Sequence, residues 1–391
     1  GAFEGAVELQ ASALAAGADD LIWNARGPEE LGACIDMGLG VRRMRAAELQ
    51  QQRKEVFAEY QEMTAEMVRS AREEERSKAI VWEIVHQWCP DFPEPDKELP
   101  NDPEPWISIG ACTLGEEIGR GAFGVAYACA NHSSQRQEVM KVINKGKVSG
   151  GRHITALLKE IVLHKTLEHE NIVRFYEVMH GPRHIFLRLE DGGPENVLSV
   201  LRARASRRLE LDEASAIQGQ LASAVAHCHL RGVAHRDLKL ENVVVTEESG
   251  DWRAKVLDFG QSVNTTELQS DIAGTFPGIA PEVFIAGRRR PYAPAGIDIW
   301  ASGVVLLEMV CGAGTFAGIM DWSDSTEIAP ARRDELEVYF SDGNRFKAML
   351  RARLGATPVG LVALLSGMLQ VSPQFRWGAD RVRRSSWLRP T

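Results

Sequence analysis

The string His235-Arg236-Asp237-Leu238-Lys239-Leu240-Glu241-Asn242 restricts this chain more than any other stretch of it. It runs straight into the apolar piece VVV and, after a short turn, into VLDFG with Asp258. Asp237, Asn242 and Asp258 are polar groups of fixed type set among strand-forming residues. Together they supply one carboxylate to orient a hydroxyl and two oxygen ligands for a hard cation such as Mg²⁺, which is what metal-assisted phosphoryl transfer requires.

Two features upstream point the same way. Ile118, Gly119, Gly121 and Gly124 belong to IGRGAFGVAYA, a GxGxxG spacing between apolar pieces. Glycines let a backbone turn sharply and bring its N–H groups against a phosphate. By itself such a loop is as often a plain hairpin turn. A dinucleotide fold needs the motif to open a helix, and VAYACA favours a strand. Lys141 then sits in the apolar run EVMKVI, where its ammonium must meet anions or stay uncompensated, unless the strand is an edge and the lysine points to water. The following stretch LLKEIVLHKTLEHENIV is predicted to be a helix with Leu157, Leu158, Ile161 and Leu167 on its apolar side. Glu160 is either the counter-ion of Lys141 or a surface charge.

In this order the motifs resemble the protein kinase family over residues 106–390, and the signature set is a known one. GTFPGIAPE ends in Ala280-Pro281-Glu282, IDIWASG holds Asp298, and SPQFRW holds Arg376, the family partner of Glu282. The resemblance implies an α+β, two-lobed fold, with a small β-rich lobe over about 106–189 and a larger helical lobe over about 195–391. It implies ATP and Mg²⁺ as cofactors. Ile118, Gly119, Gly121, Gly124, Ala126 and Val139 would then surround ATP, and Lys141, paired with Glu160, would hold its phosphates. Asp237 would take the substrate hydroxyl proton, Lys239 would neutralise the transferring group, and Asn242 and Asp258 would bind the metal. Asp298 would brace the catalytic loop, and Thr275 would link Asp237 to Lys239. Glu190 is expected to begin a short connection between the lobes whose backbone contacts adenine.

DLKLEN resembles the Ser/Thr branch, which implies a protein substrate with a Ser or Thr acceptor. LEHENIVRFYEV and DLKLENVVV look most like the calcium/calmodulin-dependent and AMP-activated kinase group. Ala126 and Val139 depart from the family's usual valine and alanine, which reshapes the adenine pocket by a methyl group or two each way. After Gly312 the usual Pro-Phe element is not recognisable. The arginine at Arg236 pairs in relatives with a phosphorylated residue, often eleven positions before the segment's terminal Glu. That position here is Asp271, a fixed carboxylate that could partly stand in for phosphate. The alternative is a solvated Asp271, with Ser270, Thr265 or Thr266 phosphorylated. An alternative to catalysis as a whole is a pseudokinase scaffold that binds nucleotide or partners.

Charge divides the chain. Residues 1–105 hold 22 Asp and Glu against 11 Lys and Arg, which leaves 32 acidic and 34 basic residues for the rest. Six of the seventeen prolines fall in residues 89–105, which read as an extended linker between an acidic helical segment, 1–88, and a catalytic domain, 106–391. Val56, Tyr60, Met63 and Met67 share one helical face for about two heptads. That face is either a solvated amphipathic helix resting on a neighbour or a partner-binding or oligomerising segment. Deleting 1–105 is expected to leave a folded domain. No run reaches the roughly 18 apolar residues of a membrane span. The six cysteines show no CxxC pair and are too sparse for a disulfide framework or a zinc cluster. A reducing, cytoplasmic or nuclear compartment is expected. The chain begins at Gly1 without a signal-peptide pattern, so address signals could lie in a longer parent. The basic runs 202–208 and 288–290 are short and lack interleaved aromatics, so they read as solvated surface and not as a nucleic-acid site.

Overall fold

After the glycine motif Tyr127, Cys129 and Asn131 are buried while Ala128 and Ala130 between them are half-buried, and that period of two builds a sheet. In this computed structural model, residues 92–388 are described, apart from 94–95, 122–123, 149–150, 288–289 and 324–326. The helical face predicted at Val56 to Met67, and the acidic segment around it, lie outside the described residues. Strands β1 (Ser108–Ile109), β2 (Cys112–Arg120), β3 (Gly124–Asn131) and β4 (Arg136–Asn144) form an antiparallel sheet. Helix α1 (Gly151–Lys165) leads to β5 (Phe175–His180) and β6 (His184–Glu190), which complete the order β1-β2-β3-β4-β6-β5. The predicted helix therefore stops at Lys165. Leu167 is buried in the turn beyond it, where Thr166 and Leu167 donate to the carbonyls of Leu163 and His164 and tighten the chain out of the helix.

The other lobe is mostly helical. After β7 (Glu195–Asn196) come α2 (Val197–Ala203) and α3 (Leu211–Leu230). Each starts on a cap: Asn196 Oδ1 accepts the Ser199 N–H at 2.9 Å, and Glu210 with Glu213 forms a reciprocal capping box. The short strands β8 (Val233–Ala234), β9 (Val243–Glu248), β10 (Asp251–Val256) and β11 (Val263–Asn264) flank the catalytic string. Beyond them lie α4 (Pro281–Phe284), α5 (Pro294–Cys311), α6 (Thr315–Ile319), α7 (Ala331–Ser341), α8 (Gly343–Leu354), α9 (Val359–Met368) and α10 (Ala379–Arg383). Helix α5 is apolar nearly all round and is the floor of the lobe. By length and composition alone its 18 residues could cross a membrane. Yet 78% of that window is buried inside the fold, as a core helix requires. Phe316 of α6 is fully buried, so the stretch after Gly312 keeps an aromatic anchor even though the expected Pro-Phe pair is missing.

Two expectations need correction. Residues 92–105 are no free linker. Phe92 and Leu99 are buried, the Asp96 N–H donates to the His180 carbonyl at 2.7 Å, and Phe92 meets the His180 ring edge-on at 5.2 Å. Leu99 joins Ile109, Leu114, Met140, Val142 and Phe186 in a core on the face of the sheet opposite Lys141. Prolines stiffen this strap, and the apolar residues between them hold it down. The cysteines are also less scattered than their spacing suggests: atoms of Cys112, Cys129 and Glu138 lie within 4.8 Å of one another under the strap. The Glu138 carboxylate is already engaged by Arg188 at 2.8 Å and Asn131 at 3.0 Å, so the cluster is a satisfied polar network. In the first basic run, Arg204 forks onto Glu213, and Arg208 donates to the Arg353 carbonyl.

Candidate functional site

The glycine motif is the end of the β2–β3 hairpin. The Gly121 N–H donates to the Gly124 carbonyl at 2.9 Å, and a side chain at Gly119 would meet nothing within 4 Å, so the loop is open above the sheet. Gly124 is required by packing, since a Cβ there would sit 2.2 Å from the Val142 carbonyl oxygen. Ala126 is the strand partner of Lys141, and Val139 that of Leu189, so the reshaped positions lie on the strands that carry the lysine.

Lys141 reaches Glu160 on α1 at 2.6 Å and Asp258 at 3.6 Å. Burial works against its charge, but the carboxylates of Glu160 and Asp258 outweigh it and raise its pKa. The same field, led by Lys141, overcomes burial at Asp258 and holds that carboxyl below its usual range. Asp258 has φ +65°, a left-handed backbone that turns the chain sharply beside Phe259. Phe259 is fully buried against the rings of His164 and His235. His164, whose ring nitrogen is 2.6 Å from the Val173 carbonyl, is pushed by burial down to about 4 and so packs as a neutral ring.

The catalytic string is pinned from below. Asp298 on α5, 1% exposed, accepts the backbone N–H groups of His235 and Arg236 at 2.9 and 2.7 Å, and lies 2.8 Å from His229. Above it, Thr275 donates to Asp237 Oδ1 at 2.6 Å, while Lys239 reaches Asp237 Oδ2 at 2.7 Å and Thr275 Oγ1 at 2.9 Å. Asn242 donates its amide to the Asp237 carbonyl at 2.8 Å. Its Oδ1 makes no protein hydrogen bond among the described residues, which leaves an amide oxygen for a cation. Asp258 adds a partly exposed carboxylate. This oxygen donor set suits Mg²⁺.

Arg236, also at positive φ, forks onto Asp271 at 2.8 and 3.0 Å and donates its Nε–H to the Gln261 carbonyl. Burial opposes both charges, but the pairing raises Arg236 and lowers Asp271. Glu282 and Arg376 form a second fork at 2.7 and 2.9 Å, and Arg376 packs 5.3 Å over Trp300. Glu190 is placed differently from expectation. It closes β6, its N–H is taken by the Arg174 carbonyl, and its carboxylate pairs with Lys255 at 3.0 Å, so the connection begins at Asp191. Ile118 lies exposed on β2.

Sequence reasoning missed Tyr292, whose hydroxyl donates to the Asp271 carbonyl at 3.0 Å and lies 3.3 Å from Arg236. Nothing in its local sequence marks it. It also missed Glu308 on α5, a half-buried carboxylate whose oxygen accepts the Gly314 N–H at 3.1 Å.

Comparison with known proteins agrees with this geometry. The family model described as protein kinase domain matches residues 112–388. CBL-interacting protein kinase 31 of Oryza sativa subsp. japonica is 35% identical over 286 residues, covering 72% of this chain and 58% of that protein. CBL-interacting serine/threonine-protein kinase 19 of Arabidopsis thaliana is 31% identical over 290 residues, covering 72% and 54%. CDPK-related kinase 4 of the same plant is 35% identical over 217 residues, covering 54% and 35%. The chain thus spans little more than half the length of the first two.

Proposed function

Because this chain belongs to the protein kinase family, we propose that it transfers the γ-phosphoryl group of ATP to Ser or Thr hydroxyls of protein substrates. The observation that carries the proposal is the Asp237–Lys239–Thr275 triangle, set beside the oxygens of Asn242 and Asp258 and the Lys141–Glu160 pair. Phosphoryl transfer asks little covalent chemistry of a protein, so positioning and charge neutralisation do most of the work. Asp237 is held through both oxygens by Thr275 and Lys239. Oδ2 also accepts the Asn242 amide at 3.3 Å, while Oδ1 has Thr275 as its one partner and retains a lone pair, so the carboxylate can orient the acceptor hydroxyl and take its proton as the oxygen attacks phosphorus. Lys239 brings positive charge to the same place. Lys141, kept charged by Glu160, meets the phosphates from the other lobe, and the open backbone at Gly119 and Gly121 gives them room. When bound, Mg²⁺ would be held by Asn242 and Asp258 and would neutralise charge on the phosphates.

The threonine acceptor link at Thr275 and the DLKLEN motif support Ser/Thr selectivity. Two motifs, LEHENIVRFYEV and DLKLENVVV, support a place near the calcium/calmodulin-dependent and AMP-activated group. The Arg236–Asp271 fork supports a further reading: the carboxylate orders the activation segment without prior phosphorylation, so basal turnover is appreciable. Mg²⁺-ATP-dependent labelling of Ser, Thr and Tyr peptides by wild type and Asp237→Asn tests the whole. We expect Ser/Thr labelling that falls by about 10²-fold or more in the variant. Equal incorporation by the two proteins sinks the catalytic assignment, and preference for Tyr sinks the acceptor class.

A further inference from the structure

Far along the chain from the catalytic string, α9 and α10 enclose an open pocket of about 520 Å³ lined by Gly360, Ala363, Trp377, Arg381, Arg384 and Ser386 among others. Its floor is low at Ala363, which carries only a methyl group, while Gly360 packs against Trp387, and the Trp377 ring lines the wall. The charge around it is unbalanced. Arg383 and Arg384 share the single carboxylate of Asp380 at 3.2 and 2.9 Å. Arg381 makes no ion pair among the described residues and stacks on Trp377 at 4.2 Å. Three guanidinium groups within four residues, at the end of α10 and its cap, thus outnumber the one acid beside them, and like charges so close repel. Hydroxyls of Ser385 and Ser386 add donors at the same rim.

The same segments expose apolar surface. Phe375, two residues before Trp377, is 68% exposed, and Val359, beside Gly360, is 85% exposed. Large exposed apolar groups beside an unbalanced charge mark interaction surfaces more than solvent-facing ones. A pocket of this volume takes a side chain and its neighbours, whereas a free phosphate would leave the apolar floor uncovered. We propose that this face docks an acidic peptide segment of a partner protein, with a carboxylate on Arg381 and Arg384 and an aromatic or aliphatic side chain over Ala363 against Trp377. This binding does not rest on the catalytic reading.

The test is fluorescence anisotropy with a short fluorescein-labelled peptide alternating Asp and Glu with Phe and Leu, added to the full chain. A control peptide has Asn and Gln in place of the acids. We expect the acidic peptide to bind, the control not to, and the double variant Arg381→Glu, Arg384→Glu to bind about tenfold more weakly or worse. Ala363→Leu keeps every charge and fills the floor, so it is expected to weaken binding as well. Unchanged thermal melting shows that the variants fold. Phosphorylation of a peptide without acidic residues is expected to stay unchanged in both, which separates loss of docking from loss of catalysis. Absence of binding by wild type, equal binding of the control, or equal binding by the double variant overturns the proposal. So does capture of phosphatidylserine vesicles in place of the peptide.

Discussion

Two arginine forks, Arg376 on Glu282 and Arg236 on Asp271, have nearly the same geometry and quite different surroundings. In the first, the side chains are 1% and 10% exposed; in the second, Arg236 is 8% exposed but Asp271 is 55% exposed. A guanidinium–carboxylate pair gains most where water is excluded, and there the loss of one partner strands the other. The buried fork is therefore a permanent bolt between the end of the activation segment and the helical lobe. The open one can exchange its acid for water, and this suits a contact that regulates.

The comparison breaks if burial does not rank the following effects. Arg376→Ala leaves Glu282 buried without a partner, and is expected to lower unfolding stability by about 3–5 kcal/mol in denaturant titrations. A loss below about 1 kcal/mol removes the bolt. Next comes the strap. A chain beginning at residue 106 lacks the buried side chains of Phe92 and Leu99, and is expected to be about 3 kcal/mol less stable than one beginning at residue 92. Equal melting of the two would restore the reading of residues 92–105 as a free linker.

Glu308 sharpens the comparison as a half-buried carboxylate with no ion pair among the described residues. Burial raises its pKa from 4.5 to about 7. A raised folded-state value means that its contribution to stability is complete below about 4.5 and is lost as pH rises through about 7. Glu308→Gln is expected to flatten that part of the stability profile, by about 3 kcal/mol across the window. Parallel profiles for wild type and variant would show that the group is solvated. The smallest change in stability belongs to Asp271→Asn, about 1 kcal/mol or less because water screens the pair. Its activity is expected to fall about fivefold or more after phosphatase treatment, as a lost coupling would require. Unchanged turnover would make the open fork a surface contact.

The catalytic groups were legible because their chemistry tolerates few substitutes and their spacing is local. Asp237, Lys239 and Asn242 fall within six residues, and the chain places them around one carboxylate with little freedom. Glu160 was legible only as a candidate, since nothing local distinguishes a counter-ion from a surface acid. The 2.6 Å contact with Lys141 settles it. Boundaries were less legible. The helix ends at Lys165 and β6 keeps Glu190, because hydrogen bonds made in the turn and to Arg174 outcompete the local pattern.

By itself the sequence determined the class of fold, the groups at the site, and the division of charge between the two ends of the chain. Only tertiary structure decided that a proline-rich stretch is a strap, that two distant cysteines meet beside a buried carboxylate, and that three arginines outnumber one acid beside an open pocket. Motifs are read along the chain, where residue type and spacing suffice. Burial and charge balance depend on which distant segments exclude water together, and spacing alone does not encode that.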